Sequence, residues 1–192
     1  MVFGFYMIRP TMSTRLLSRA TMPIDPTLER CSQPVRVVKE GAVAWKLFLD
    51  GASRFNPGNA GAGIYLMKNN VPVYQEGFYL GLKTNNEAEY LALLLGLYYA
   101  RAVVQPDDIL YILSDSELLI RQMKGEYAVK KLSLKQLYAC AINLLSGINC
   151  SFCHIRREFN KQADRLANQG IDAGSIMPQD FLHLVRDCGF SI

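Results

Sequence analysis

Five acidic residues stand where a folded chain could gather them for chemistry. Each follows a predicted strand or lies at the start of a predicted helix: Asp50, Glu87, Glu89, Asp115 and Asp164. The strands of an open α/β sheet bind ligands at their carboxyl ends, where loops leave room. If the first and fourth strands are neighbours, these carboxylates form a cluster of oxygen ligands suited to hard divalent cations.

Each acid alone also has an ordinary structural explanation. Asp50 could be a turn residue, and acids are common at helix N-termini because the helix dipole favours them. The group is harder to explain, since two such charges repel by about 4 kcal/mol at 4 Å and an effective dielectric of about 20. A crowded set of carboxylates therefore indicates a function.

The elements that would position these acids follow from hydrophobic periodicity and turn residues. Leu47 to Leu49 is too short for a helix and predicts a buried strand that ends at Asp50. Asn69-Asn70 joins the next two strands in a hairpin. Strands are predicted at 44–50, 60–68, 71–80, 109–113 and 148–155, and helices at 87–101, 116–124, 132–146, 161–172 and 179–186. This order, βββαβαβα with a tail helix, predicts an α/β fold.

Small residues dominate the stretch that follows Asp50. They are Gly51, Ala52, Gly58, Ala60, Gly61 and Gly63. Residues without large side chains let another group come close to the backbone. We therefore expect this stretch to leave room for a large ligand.

Residues 1–43 differ from the rest of the chain. They contain four prolines and no sustained periodicity, which indicates an extension outside the fold. The first 24 residues carry Arg9, Arg15 and Arg19 but no acid, a composition typical of an organelle transit peptide. An unstructured leader is the alternative. The predicted domain spans residues 44–192.

Composition limits the possible classes of protein. A chain of 192 residues that is 50% hydrophobic can form one domain with a substantial core. The net charge of +4 is compatible with a polyanionic partner but lacks the charge density of a nucleic-acid-binding tail. No apolar run reaches the roughly 18 to 20 residues of a membrane span.

The cysteines do not form a recognisable cofactor site. Cys150 to His154 matches the C-x-x-C-H pattern of covalent haem attachment. On a strand, however, residues three apart point to opposite faces, so the two thiols cannot hold one group. Two cysteines and one histidine also fall short of a structural zinc site. We expect the five cysteines to be small, buried, reduced residues in an intracellular compartment.

Four motifs give the chain a specific resemblance. They are D-G-A-S-R-F-N-P-G-N-A-G from Asp50, T-N-N-E-A-E-Y from Thr84, S-D-S from Ser114 and H-I-R-R-E-F-N-K-Q-A-D-R-L-A-N from His154. In this order they resemble type 1 ribonuclease H, over roughly residues 45 to 173. The resemblance implies a five-stranded mixed sheet flanked by helices, the ribonuclease H-like fold.

The resemblance also implies an activity and a site. The activity is endonucleolytic hydrolysis of the RNA strand of RNA/DNA hybrids by two Mg²⁺ ions, with Mn²⁺ as an alternative, leaving 5′-phosphate and 3′-hydroxyl ends. The implied metal ligands are Asp50, Glu89, Asp115 and Asp164. The implied substrate contacts are Ser53, Asn56, Asn85, Asn86, Ser116 and Glu117, with Thr84 at a DNA phosphate. We expect a monomer without membrane attachment, located in the cytoplasm or nucleoid, or imported into an organelle.

The chain departs from longer bacterial members of this family in two places. Only six residues separate Gly125 from Leu132, so the basic helical protrusion of those enzymes is missing. The loop rich in glycine and histidine before the last acid is missing as well. Both features resemble the shorter, archaeal-like branch. In longer relatives, the missing loop handles the phosphate or the departing metal beside the last acid. We assign this role to Arg157, with Glu158 as the competing candidate.

Two alternative functions remain open at this point. The first is a non-catalytic binding module of the same fold within a larger assembly, against which the intact set of four acids argues. The second is another nuclease of the same fold, against which the N-P-G and T-N-N elements argue.

Overall fold

The computed structural model describes Cys31 and residues 41–192. The predicted N-terminal extension, residues 1–43, lies almost entirely outside the described residues. The strands are β1 Ala44–Phe55, β2 Gly58–Lys68, β3 Val71–Lys83, β4 Ile109–Ser114 and β5 Cys150–His154. The helices are α1 Asn85–Arg101, α2 Glu117–Met123, α3 Leu132–Leu145, α4 Lys161–Ala173 and α5 Gln179–Asp187, with a 3₁₀ turn at Arg157–Phe159.

The five strands form one mixed sheet in the order β3-β2-β1-β4-β5. β1, β2 and β3 are antiparallel neighbours, whereas β1, β4 and β5 run parallel. The predicted mixed α/β sheet and the order of its elements are confirmed. Residues 124–131 contain no helix, as expected from the short connection between α2 and α3.

Helix α1 is the buried centre of the larger core. Its N-terminus is fixed by a capping box between Thr84 and Glu87, which satisfies two backbone N–H groups that the helix cannot. Its apolar residues are buried almost all round, as predicted from their density. Gly96 has no Cβ, which makes room for the side chain of Leu47 in β1. A Cβ at this position would lie only 2.8 Å from that side chain. Helix α1 therefore packs tightly against the strand that carries Asp50.

The glycines near Asp50 admit helices of the protein itself. A Cβ at Gly51 would overlap the backbone of Ala88 and Glu89 in α1. One at Gly61 or Gly63 would overlap backbone atoms of α4. The expectation of room for a large ligand is therefore wrong at Gly51, Gly61 and Gly63, because helix backbone already occupies the space there.

Strand β1 is five residues longer than predicted, so Asp50 lies inside it. Its antiparallel pairing with β2 continues to Phe55↔Gly58, whereas its parallel pairing with β4 ends at Phe48↔Leu113. Past Phe48, β1 therefore loses its β4 neighbour while keeping β2. Asp50 lies at this opening. The opening leaves room beside Asp50, as the sequence predicted for the end of a strand.

The cysteines differ in part from the expectation. Cys150 packs in the α1-side core and Cys153 in a smaller cluster on the other face, so the two thiols do diverge. Cys153 is, however, joined to Cys31 by a disulfide across 122 residues of sequence. The expectation of five reduced cysteines is wrong for this pair, because sequence spacing cannot reveal a contact over such a separation. Cys140, Cys150 and Cys188 are free thiols.

Within Cys31 and residues 41–192, no helix is both long and apolar enough to cross a bilayer.

We predict that Gly63→Ala destabilises the fold by about 3 kcal/mol or more, because the new methyl group would overlap the backbone of α4. Thermal unfolding measures the effect. Gly81→Asn is the matched control, since nothing lies within 4 Å of its Cβ position and asparagine tolerates its φ of +73°. Equal melting temperatures for the two variants would contradict the close approach of α4.

Candidate active site

Four acids from four different elements meet at the opening beside β1. Asp50 comes from β1, Glu89 from α1, Asp115 directly follows β4, and Asp164 lies in the first turn of α4. Asp50 interacts electrostatically with both Asp115 and Asp164. Glu89 interacts with Asp50 and Asp115. The predicted set of four is therefore brought together.

Asp50 lies at the centre of this group and is only 7% exposed. Burial raises its pKa, and the negative charges of Asp115 and Asp164 raise it further, to about 7. Arg157 opposes part of this shift. Without a cation, the Asp50 carboxyl is therefore protonated at much higher pH than an ordinary aspartate.

Glu89 is buried to the same degree, at 7% exposure. Burial raises its pKa well above the ordinary value, and the charges of Asp50 and Asp115 add to the shift. The backbone N–H of Gly51 donates to its Oε2 at 3.2 Å, which favours the charged form. Glu89 is thus aimed into the cluster by the tight contact between α1 and β1.

Glu87 has a different position from Glu89 and a structural role. Its carboxylate accepts hydrogen bonds from the Thr84 backbone at 3.0 Å, from Lys131 at 2.9 Å and from Ser133 at 2.8 Å. Burial alone would raise the pKa of Glu87, but these hydrogen bonds outweigh it and lower the pKa to about 2. Glu87 therefore ties α1 to α3, and Glu89 is the acid that faces the cluster.

Asn160 is a site residue that sequence reasoning missed. The sequence indicates a helix cap, yet its side chain makes no capping hydrogen bond. Its Nδ2 lies 2.7 Å from Oδ1 of Asp115 and 3.0 Å from the carbonyl oxygen of Leu49, and it donates to both. Asn160 thus links α4 to β1 and to the acid after β4. Its own Oδ1 is buried and has no protein partner among the described residues.

Arg157 pairs with the fourth acid. Its Nη2 donates to Oδ1 of Asp164 at 2.8 Å, and its side chain is 79% exposed. Glu158, the competing candidate, instead faces Arg156 at 3.5 Å. The residue at the edge of the cluster is therefore the long, exposed cation Arg157, and not the carboxylate of Glu158.

The residues expected to contact substrate form two groups. Ser53, Asn56 and Asn85 meet where the β1–β2 hairpin touches the start of α1. The Asn85 backbone N–H donates to Oδ1 of Asn56 at 3.0 Å, and the Ser53 hydroxyl lies 2.8 Å from the carbonyl oxygen of Lys83. These contacts fix the hairpin tip against the helix.

The remaining expected contacts lie at the starts of α1 and α2. Asn86 is exposed on the first turn of α1, beside Thr84, whose hydroxyl donates to Oε2 of Glu87 at 2.8 Å. Ser116 caps α2 by accepting from the Leu119 N–H at 3.4 Å. The exposed Glu117 pairs with Arg121 at 2.7 Å. Thr84 and Ser116 therefore have structural duties at helix starts, and the cap at Thr84 agrees with the cap-type residues of 84–86.

The donor set fits divalent metal ions. All four side chains offer carboxylate oxygens, the ligands of hard cations, and their crowding leaves negative charge that the described residues only partly offset. Among residues 31 and 41–192, no three His, Cys, Asp or Glu side chains form a ready-made metal cage. Mg²⁺ suits such an open arrangement, because it keeps several waters and takes one or two carboxylates together with substrate phosphates.

Known proteins resemble this chain in sequence and in structure. A family model described as reverse transcriptase-like matches residues 48–170, which include all four clustered acids. Ribonuclease HI of Halobacterium salinarum is 38% identical over 127 residues, covering 65% of this chain and 63% of that protein. A ribonuclease H1 structure from the same organism has a TM-score of 0.63 at 35% identity, covering 69% of this chain and 98% of that one.

Two further solved structures are similar. The N-terminal ribonuclease H domain of a Mycobacterium tuberculosis protein has a TM-score of 0.64 at 34% identity, covering 67% of this chain and 99% of that one. LC11-RNase H1, isolated from compost, was solved in complex with an RNA/DNA hybrid. That structure has a TM-score of 0.61 at 34% identity, covering 68% of this chain and 96% of that one.

The chain spans 63% of the length of the halobacterial relative and 35% of the length of the mycobacterial bifunctional protein. The family model matches the part of the chain that carries the sheet and the acidic cluster, and the structural similarity covers 98–99% of two ribonuclease H chains. The chain therefore belongs to the type 1 ribonuclease H family.

Proposed function

We propose that this protein is a monomeric endoribonuclease that hydrolyses the RNA strand of RNA/DNA hybrids by a two-metal-ion mechanism, leaving 5′-phosphate and 3′-hydroxyl ends. The observation that carries the proposal is the meeting of four carboxylates from four elements at one opening of the sheet. The hybrid bound by LC11-RNase H1 supports the class of substrate.

Asp50, Glu89, Asp115 and Asp164 would hold the metal ions, Mg²⁺ or alternatively Mn²⁺. When bound, the two ions supply activation of the attacking water and stabilisation of the leaving oxygen. The proton that Asp50 retains because of its raised pKa must leave when a cation binds, so we expect metal binding to release protons near pH 7. Asn160 orients Asp115 by donating to its Oδ1.

Arg157 would act on the phosphate electrostatically. A guanidinium stays charged near neutral pH and therefore cannot serve as a general acid or base. Its planar donors match phosphate oxygens, and its exposed side chain can exchange Asp164 for such a group.

The hairpin tip and the helix starts would bind the hybrid. Ser53, Asn56 and Asn85 lie where hydrogen bonds hold the hairpin tip against the end of β3 and the start of α1. RNA is distinguished from DNA by the 2′-hydroxyl groups displayed in the minor groove. The remaining proposed contacts are Asn86, Ser116 and Glu117, with Thr84 at a phosphate of the DNA strand.

The proposal is tested by incubating the full chain and Mg²⁺ with a labelled RNA/DNA hybrid, duplex DNA, duplex RNA and single-stranded RNA. We expect cleavage of the RNA strand of the hybrid, 5′-phosphate and 3′-hydroxyl ends on the products, and no cleavage in EDTA. Absence of hybrid cleavage, or equal cleavage of duplex DNA, would refute the proposal.

For Asp50→Asn we predict opposite effects on activity and stability. Cleavage should fall by at least about 100-fold because a metal ligand is lost. In EDTA at pH 8 the melting temperature should rise, because the folded-state pKa of about 7 makes the Asp50 carboxylate costly above pH 7.

That cost declines as the pH falls from about 7 towards the ordinary value of 3.8, and below 3.8 the carboxyl is protonated in both folded and unfolded protein. The gain in melting temperature should therefore shrink at pH 5. Glu126→Gln, an exposed surface change, is the control for charge removal. A lower melting temperature for Asp50→Asn in EDTA at pH 8 would contradict the clustering.

Glu87→Gln and Glu89→Gln should separate stability from chemistry. Glu87→Gln should lose about 1.5–3 kcal/mol of stability at pH 7 and keep its turnover, because charged hydrogen bonds to α3 are weakened. This contribution is present above pH 4.5 and is lost as the pH falls towards 2. Glu89→Gln should lose turnover without loss of stability in EDTA. Turnover measurements and thermal melts test both, and equal losses of activity would contradict the assignment.

Arg157→Ala should lower kcat more than it raises KM, and Arg157→Lys should restore only part, because a point charge lacks the planar fork. Arg156→Ala is the matched control, since Arg156 faces Glu158 and not the acidic cluster. Normal turnover in Arg157→Ala together with a large loss in Glu158→Gln would move the role to Glu158.

A further inference from the structure

Phe55, at the tip of the β1–β2 hairpin, combines two properties that rarely occur together. The residue is 89% exposed, and its backbone φ is +75°. A single exposed apolar side chain is ordinary. A bulky aromatic residue in the left-handed region is not, because its Cβ crowds the backbone there. At such exposure the ring gains little packing energy to offset that cost.

The surrounding structure holds Phe55 in this conformation. Its backbone pairs with Gly58 across the hairpin, and the Ser53 hydroxyl lies 2.6 Å from its carbonyl oxygen. The next residue, Asn56, accepts the N–H of Asn85 at the start of α1. The ring is therefore presented to solvent on a fixed backbone. Strain kept in place by its surroundings points to a function of the strained residue.

The position of Phe55 indicates what the ring contacts. It lies between Ser53 and Asn56, on the strand that carries Asp50 five residues earlier. An extended strand advances about 3.3 Å per residue, so the ring stands on the order of 16 Å from the acidic cluster along β1. If a duplex contacts both the acidic cluster and the hairpin tip, its groove lies against the ring of Phe55.

We propose that Phe55 packs its ring against sugar carbons in the shallow minor groove of the bound RNA/DNA hybrid and so positions the duplex over the acidic cluster. This inference rests on the proposed function. The neighbouring serine and asparagine offer polar groups for hydroxyl and phosphate oxygens, whereas a phenyl ring offers only apolar surface. In the minor groove of a duplex, the carbon atoms of the sugars provide apolar surface. Contact with the sugars carries no base preference.

The test uses three variants at one position. Phe55→Asn removes the ring but tolerates a positive φ, Phe55→Gly removes the ring and the strain, and Phe55→Tyr keeps a ring. Binding of a fluorescent hybrid is measured by anisotropy with each change placed in the cleavage-deficient Asp50→Asn protein, and KM and kcat are measured without Asp50→Asn. Val71→Ala is the control, an exposed apolar residue at the hairpin on the opposite end of the sheet.

We expect Phe55→Asn and Phe55→Gly to weaken binding and raise KM by about 5-fold or more, with little change in kcat. Phe55→Tyr should stay within about 2-fold of the parent, as should Val71→Ala. The slope of log Kd against log salt concentration should not change, because no phosphate contact is lost. The melting temperature of Phe55→Gly should be equal or higher by about 2–4 °C, since the strain is relieved.

Unchanged affinity and KM in both ring-free variants would overturn the inference, while hybrid cleavage by the unmodified protein would leave the proposed function intact. A fall in melting temperature parallel to the loss of affinity would also overturn it, because the ring would then be structural. A salt slope lower by about 1 would assign the loss to a phosphate contact. If the unmodified protein cleaves no hybrid, both proposals are overturned. This outcome is read from the cleavage assay of the unmodified protein and is separate from the comparison of the Phe55 variants.

Discussion

The closeness of two helices to the sheet sets the geometry of the whole site. Helix α1 meets β1 at Gly51, and α4 meets β2 at Gly63, with backbone against backbone in both places. Asp50 precedes the first glycine, and Glu89 belongs to the helix backbone that it meets. Asp164 follows Ala163, whose carbonyl oxygen a side chain at Gly63 would displace. The distances between the acids are therefore fixed by main-chain packing, which is stiffer than side-chain packing.

That packing forces together charges that would otherwise separate. Burial and mutual repulsion raise the pKa of Asp50 and of Glu89, so the cluster without cations holds protons that ordinary carboxyls would release. Among the described residues, the backbone N–H of Gly51 donates to Glu89, and one side-chain amide and one guanidinium offset part of the remaining charge. Asn160 donates to Asp115 and Arg157 to Asp164. Without cations, the site thus limits its negative charge by holding protons and by these contacts.

A second set of contacts carries this order outwards to the hairpin tip. Ser53 and Asn56 connect the end of β1 to the end of β3 and to the start of α1. Helix α1 therefore supports the tip with its first residue and the acidic cluster with its fifth. The polar groups of the tip are therefore held at a fixed distance from the acidic cluster, which favours positioning over adaptation.

The sequence by itself determined the order of the elements, the α/β class and the five acids among which the site had to be sought, because periodicity, turn residues and motif order are local properties of the chain. Only the tertiary structure decided how these pieces are used. Glu87 and Glu89 differ by two positions in one helix, and the broad apolar surface of α1 could not orient them until α3 supplied Lys131 and Ser133. Asn160 looked like a cap until β1 and β4 provided its partners, and the glycines looked like space for a ligand until α1 and α4 filled it. In each case the deciding contact comes from residues distant in sequence, which no local pattern encodes.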